Sequence, residues 1–460
     1  MTVTVIRGGE LLDQTGRRRG DVVVDDESGL VVDVVAPGPG TRGTDDLDAR
    51  DHGDWVLDAE SCLVVPAFVD LNTHLRQPGH EAAGTVDSGT RAAALGGYSA
   101  LVAMPDTDPC TDNAAVVSEV LALASGTPCQ VVPSAALTIG RRGSELAPYG
   151  ELAGVGVRLF TDSASAVQDP TLLRHALEYL RGVSDGAGIR LIAAQGGQHE
   201  ALNGDGVMDE GEWSSRLGLA GQPALAEELM VSEALALARL AGCPLHLQQL
   251  STAAAVDRVR AAKADGQSVT AEVSPHHLVL NAAAVSSYDP NLKTCPPLRT
   301  PADVAALVEG VADGTIDAIA TGHTPHTMDA KEQPFDRAPF GVLGLETALA
   351  VLLSETRLSI EHLLPALSWQ PAAIVGIGRE HATPIEPGRP ANLTVIDPAA
   401  QWTVGIGCFG GYAANSPFLG RTLTGRVRHT IHRGVPVVTD QQLNTDIPSA
   451  RRRLSSTATR

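Results

Sequence analysis

The chain has 460 residues, enough for one large α/β barrel plus a small extra domain, or for two or three ordinary domains. Lys and Arg number 34 against 54 Asp and Glu, a formal charge of −20 that argues against nucleic acid and anionic membranes as partners. Aromatics are only 3% and no apolar run is long enough to cross a bilayer, which excludes a helical membrane protein.

The N-terminus "MTVTVIRGGELLD" has neither a basic start nor an apolar core, so no signal peptide is expected and the predicted location is cytoplasmic. The runs "VTVIRGGELLD", "DVVVDD", "LVVDVVA" and "WVLDAESCLVVPAFVD" are Val-rich, punctuated by Gly and Asp, and read as short strands. A polar loop at 37–54, "PGPGTRGTDDLDARDHGD", interrupts them and is expected to be mobile. From Ala67 to about Ser368, short apolar runs ("YSALVAM", "CQVVPSAA", "VGVRLFT", "IRLIAAQ", "CPLHLQQL", "SVTAEVS", "IDAIATG") alternate with Ala/Leu-rich helical stretches such as "DNAAVVSEVLALAS" and "PALAEELMVSEALALARLAG". About eight βα units of this kind predict a (β/α)8 TIM barrel, with chemistry at the C-terminal ends of the strands. After Pro384 the strands return in "RPANLTVIDP" and "RVRHTIHRGVPVV". The expected division is a β-sandwich from residues 1–66 and 385–445, a barrel over 67–384, and a basic, Ser/Thr-rich disordered tail at 446–460. The six cysteines, Cys62, Cys110, Cys129, Cys243, Cys295 and Cys408, form no CxxC and read as reduced thiols.

"VDLNTHLRQPG", Val69 to Gly79, has the look of a strand-end metal turn with one ligand changed: Asn72 and His74 where His-x-His would bind. With "LGGYSALVAMPDTDP", "GLAGQPALAEE", "HLQQLSTAAAV", "AEVSPHHLVL", "KTCPPLR", "IATGHTPH" and "FGVLGLETAL" following in order, the chain resembles the class I dihydroorotases of the amidohydrolase superfamily from about Ile6 to Val438. The resemblance implies an amidohydrolase-type barrel and the hydrolysis, or reverse closure, of the cyclic amide of dihydroorotate in pyrimidine synthesis. That chemistry needs zinc on His and carboxylate ligands and an Asp to shuttle a proton.

Laid on the family's pattern, the strand 1 ligand pair is Asn72 and His74. The strand 4 carboxylate position is Ser163, with Asp162 as its neighbour. The strand 5 and strand 6 histidines are Gln195 and Gln249, and the strand 8 catalytic Asp is Gly322. Asn and Gln amides are weak zinc ligands and Gly322 has no side chain, so the resemblance implies a degenerate zinc site, no metal cofactor and no functional catalytic residue. On the substrate side Arg76 and His326 match the family's carboxylate contacts, while its two Asn positions are Asp106 and Cys295. Asp106 is expected to pair with Arg76 as an internal salt bridge filling the pocket. His276 and His277 belong to the strand 7 motif without being ligands, His246 is expected to be packed, and His323 to hydrogen-bond within its turn.

"ALNGDGVMDEGEW" places Asn203, Asp205, Gly206, Asp209 and Glu212 at EF-hand spacings, but position 1 is Ala201, so it reads as an acid-bearing loop without calcium. Among non-catalytic family members, some bacterial chains serve as structural partners of aspartate carbamoyltransferase. The resemblance therefore implies that role, in a homo- or hetero-oligomer. Two alternatives stand beside it: an active amidohydrolase with an unusual site built from Asp162, His74 and Asp106, and a scaffold with no pyrimidine role, like the inactive dihydropyrimidinase-related proteins of animals.

Overall fold

A computed structural model describes residues 3–35 and 55–444. The loop at 37–54 expected to be mobile, and the tail at 446–460, lie outside the described residues.

Eight parallel strands form the central sheet in chain order: Phe68–Thr73, Tyr98–Ala103, Gln130–Ala135, Leu159–Phe160, Ile192–Gln195, Leu245–Leu247, Val269–Val273 and Ala318–Ile319, called barrel strands 1 to 8 below. A parallel bridge between Thr73 and His323, with the His74 amide donating to the His323 carbonyl at 2.9 Å, joins strand 8 back to strand 1. The strands are short, apolar and buried on both faces, as a sheet wrapped by helices requires. Leu71, Val102, Met104, Val132, Leu159, Ile192 and Ala318 fill the interior. The barrel is therefore a packed core, and the space for a ligand is left at its strand ends.

Local sequence explains the outer helices. Pro170–Ala187 starts behind Asp169, whose carboxylate accepts from the Thr171 and Leu172 amides, and ends at Gly188 with φ 65°. Pro301–Ala312 opens on a Thr300/Asp303 capping box. Ala224–Ala241 follows strand 5 and packs on both flanking helices. Among the described residues no helix is long and apolar enough to cross a membrane.

Both chain ends meet in a second layer. Leu63–Pro66 pairs antiparallel with Leu393–Thr403, which pairs with Thr422–His432, giving a seven-stranded sheet that also holds Glu10–Asp13 and Gly16–Arg19. A four-stranded sheet of Leu30–Val35, Asp21–Asp25, Val3–Arg7 and Trp55–Asp58 faces it. Their alternating residues bury Ile6, Leu11, Val22, Val24, Leu57, Val64, Val395 and Ile431 in a core of their own. The pairing expected of the two ends is thus present. The strand Gly16–Arg19 is an addition: three arginines on an edge give no apolar signal.

Candidate functional site

Loops after all eight strands enclose a cavity of about 220 Å³ at the C-terminal end of the barrel. Asn72, His74, Arg76, Asp106, Ser163, Gln249, Cys295 and Gly322 all line it. So do Arg141, Thr294 and Phe340, which the motifs did not single out. Four of these, Arg76, Arg141, Ser163 and Gln249, are non-glycine residues at φ between 49° and 69°. Left-handed backbone in such residues costs about 1–2 kcal/mol each and is held only where the surroundings dictate it.

Asn72 leaves strand 1 pointing inward. Its amide nitrogen donates to Glu272 Oε1 at 3.1 Å, and Glu272 Oε2 lies 2.9 Å from His246 Nε2. His246 reaches Thr270 Oγ1 through Nδ1 at 2.9 Å, so it is packed as expected, though inside a buried polar chain. Asn72 Oδ1 is buried with no partner. Glu272 sits inside the apolar run of strand 7, and a charged residue there was the available signal for this chain of bonds.

His74 Nδ1 and Arg76 Nη1 both meet Asp106 Oδ2, at 2.7 and 3.0 Å. Burial pushes the Asp106 carboxyl up, but His74, Arg76 and Arg141 outweigh it and hold Asp106 below the usual carboxylate range. The expected pairing of Arg76 with Asp106 is present, with His74 as a third member. Arg76 Nε is fixed by the Pro325 carbonyl at 3.1 Å. Arg141 comes from the loop after strand 3, with Nε on the Asp162 carbonyl at 3.0 Å.

Several residues stand elsewhere than expected. The carboxylate of Asp162 turns away from the cavity and accepts from the Thr138 amide at 3.0 Å and from the Thr138 hydroxyl. It therefore does not join His74 and Asp106, and the three-residue site of the active alternative is not assembled. His326 does not reach the cavity: its Nε2 lies 2.8 Å from the Phe340 carbonyl, behind the wall that Phe340 and Gly341 form. Burial, aided by the Arg76 charge, lowers His326 to about 3, so it is neutral at pH 7. His323 bonds outside its own turn, with Nδ1 facing the Gly344 and Leu345 amides at 3.3 and 3.4 Å. Gln195 sits at the end of strand 5 below the cavity, its nitrogen on the Val167 carbonyl at 3.2 Å and its Oε1 buried without a partner. In the acid-bearing loop Asp209 is engaged by buried Arg299 at 2.7 Å, so it does not converge with Asn203 and Asp205.

The strand 6 and strand 8 positions meet directly. Gly322 has φ 61°, and a Cβ built there would lie 2.2 Å from Gln249 Nε2. The Gln249 amide thus occupies the space a residue 322 side chain would need.

The family model described as Dihydro-orotase-like matches residues 61–255. A protein named dihydroorotase from Leifsonia xyli subsp. xyli is 44% identical over 87% of this chain and 91% of its own length. One from Streptomyces coelicolor is 40% identical over 96% of this chain and 100% of its own. The chain belongs to the dihydroorotase family. Its fold is shared with the solved structure of L-hydantoinase (dihydropyrimidinase) from Arthrobacter aurescens, at TM-score 0.82 and 23% identity over 96% of this chain and 98% of that one. Dihydropyrimidinase from Brevibacillus agri gives TM-score 0.80 at 21% identity, covering 96% of each chain.

The family's zinc can be tested against these donors. Zinc takes thiolate, imidazole and carboxylate ligands. The family's ligand positions offer three amides (Asn72, Gln195 and Gln249), a hydroxyl, a glycine and one imidazole already bonded to Asp106. Among the described residues no three His, Cys, Asp or Glu side chains converge as a metal site. Burial raises the Cys295 thiol to about 11, which keeps it protonated and a poor ligand at pH 7. This donor set does not fit zinc.

Proposed function

We propose that this dihydroorotase-family chain acts in pyrimidine biosynthesis as a non-catalytic member and a structural partner of aspartate carbamoyltransferase. The observation that carries the reading is Gly322 at the position of the family's proton-carrying Asp, with the Gln249 amide seated against it. No carboxylate there can take a proton from water or return it to a ring nitrogen. The amides at Asn72, Gln195 and Gln249 keep the volume and hydrogen bonding of the histidines they replace while offering weak metal ligands. Relatives named dihydroorotase at 38–44% identity support the pathway and equally suit an active enzyme, so the measurement must separate the two.

Elemental analysis of the purified chain, with dihydroorotate turnover before and after chelation, makes that separation. The expected result is no stoichiometric zinc and no turnover. Near-equimolar zinc with turnover abolished by the chelator overturns the non-catalytic reading. Co-expression with aspartate carbamoyltransferase and size-exclusion chromatography tests the partnership, with co-elution expected.

A further inference from the structure

The helix Ala224–Ala241 is apolar on both sides. Its inner face buries Ala226, Met230, Val231, Ala234, Leu235 and Ala238 against the barrel. Its outer face shows Leu225, Leu229 and Leu240 at 52%, 43% and 66% exposure, with Ala236 also exposed. At about 3.6 residues per turn these four side chains fall within a stripe about 60° wide. A single exposed leucine is ordinary, but a helix apolar all round belongs between two packed layers. Leu202, 42% exposed, stands in the short helix Glu200–Asn203, which is tied to the start of Ala224–Ala241 by the His199 amide on the Ala226 carbonyl at 3.1 Å.

The stripe is symmetric about the midpoint between Ser232 and Glu233. Leu225 and Leu240 are equidistant from it, and so are Leu229 and Ala236. We propose that this face is the seam of a twofold dimer, in which the helix packs antiparallel against the same helix of a second copy. Antiparallel packing about that midpoint sets Leu225 on the second copy's Leu240, and Leu229 on its Ala236, large residue against small. The charges agree with this direction. Glu228 and Arg239 lie on one flank of the stripe, and the twofold brings each within about one helical turn of the other in the second copy. Arg239 has no ion-pair partner among the described residues, and Glu228 is held on that flank by Arg258 Nη2 at 2.7 Å. Parallel packing would instead set Glu228 on Glu228 and Arg239 on Arg239. Glu233 works against the seam, because it meets its own mate across the axis and offsets part of the gain. A seam about 27 Å long and one helix wide is smaller than the about 800 Å² per partner that a stable dimer buries. The flanking helices Pro170–Ala187 and Ala253–Ala264 therefore take part. The inference does not depend on whether the chain is catalytic.

Light scattering on the full-length chain at micromolar concentration, after size-exclusion chromatography, tests it. The expected mass is that of a dimer or an even multiple of it. Leu229→Glu and Leu240→Glu should each halve that mass with circular dichroism unchanged, because both side chains are exposed. Arg239→Glu should weaken the dimer about tenfold, and Glu233→Gln should tighten it about threefold. Ser232→Cys puts a thiol beside the twofold axis. Oxidation mild enough to leave the wild type unlinked should join two copies of that variant by a disulfide. A monomeric chain, a mass unchanged in both leucine variants, or no disulfide from Ser232→Cys overturns the proposal. A chain monomeric alone, whose co-elution with aspartate carbamoyltransferase is blocked by Leu229→Glu, also overturns it and assigns the face to that partner.

Discussion

At position 322 a glycine is demanded twice, by φ 61° and by the Gln249 amide 2.2 Å from where a Cβ would lie. Gly322→Asp alone is therefore expected to cost about 2 kcal/mol or more in urea denaturation and to yield no turnover. Turnover from that single change would mean a metal is already held, and the ligand assignment would be wrong. Restoring Asn72→His, Ser163→Asp, Gln195→His, Gln249→His and Gly322→Asp together removes the amide that blocks the acid, and zinc uptake by elemental analysis is its readout. A second residue-scale expectation concerns Asp70, wholly buried and bonded to the Thr321 amide at 2.6 Å. Burial, with the charge of Glu272, raises it to about 7. The folded chain thus keeps a proton that the unfolded chain releases above about pH 4. The stability this contributes is full below about pH 4 and is lost as pH rises to about 7. Asp70→Asn should gain on the wild type by at least about 1 kcal/mol between pH 4.5 and pH 8, read as shifts in denaturation midpoint. Equal differences at both pH values would show that Asp70 is ionised throughout.

Among the elements, the helix Ala224–Ala241 does more than cover the barrel. Its buried Glu227 accepts from the Ser251 and Thr252 amides at 2.8 and 3.0 Å, and from both hydroxyls, so it anchors the turn that presents Gln249. Arg299 braces the same turn from Ser251 Oγ at 3.2 Å. Glu227→Ala leaves two buried amides without an acceptor and is expected to destabilise the chain by about 3 kcal/mol, with Glu227→Gln losing about half as much in the same denaturation series. A change within 0.5 kcal/mol for Glu227→Ala would show that the turn holds without it. The elements themselves were legible in the sequence where burial is two-sided: "YSALVAM" and "SVTAEVS" can only be strands between helices. "GRRR" was not, because an edge strand needs no apolar residue. The site was legible by position along the chain but not by direction. Nothing in "TGHTPH" tells that His326 turns behind Phe340, and nothing in "FTDSA" tells that Asp162 turns to Thr138. Those outcomes depend on loops from other strands, and so does the entry of Arg141 into the cavity.

Across the whole molecule, a charge of −20 favours encounter with a basic face. If aspartate carbamoyltransferase is that partner, the complex should form at micromolar concentration in low salt, with an association rate that falls as salt is raised. Separate elution at low salt, with a transferase fully active alone, would leave the partnership without support.

The sheet that joins the two chain ends also sets a schedule. Leu63–Pro66 finds its partner Leu393–Ile396 some 330 residues later in the chain. At ordinary ribosomal speeds that is roughly half a minute of synthesis, during which an apolar strand edge stays unpaired. The barrel can close behind it, but the sandwich layer cannot be completed until nearly the last residue has emerged. A nascent chain of this protein is therefore a natural client for holding chaperones. A stalled or truncated copy would display that open edge to its neighbours on the polysome.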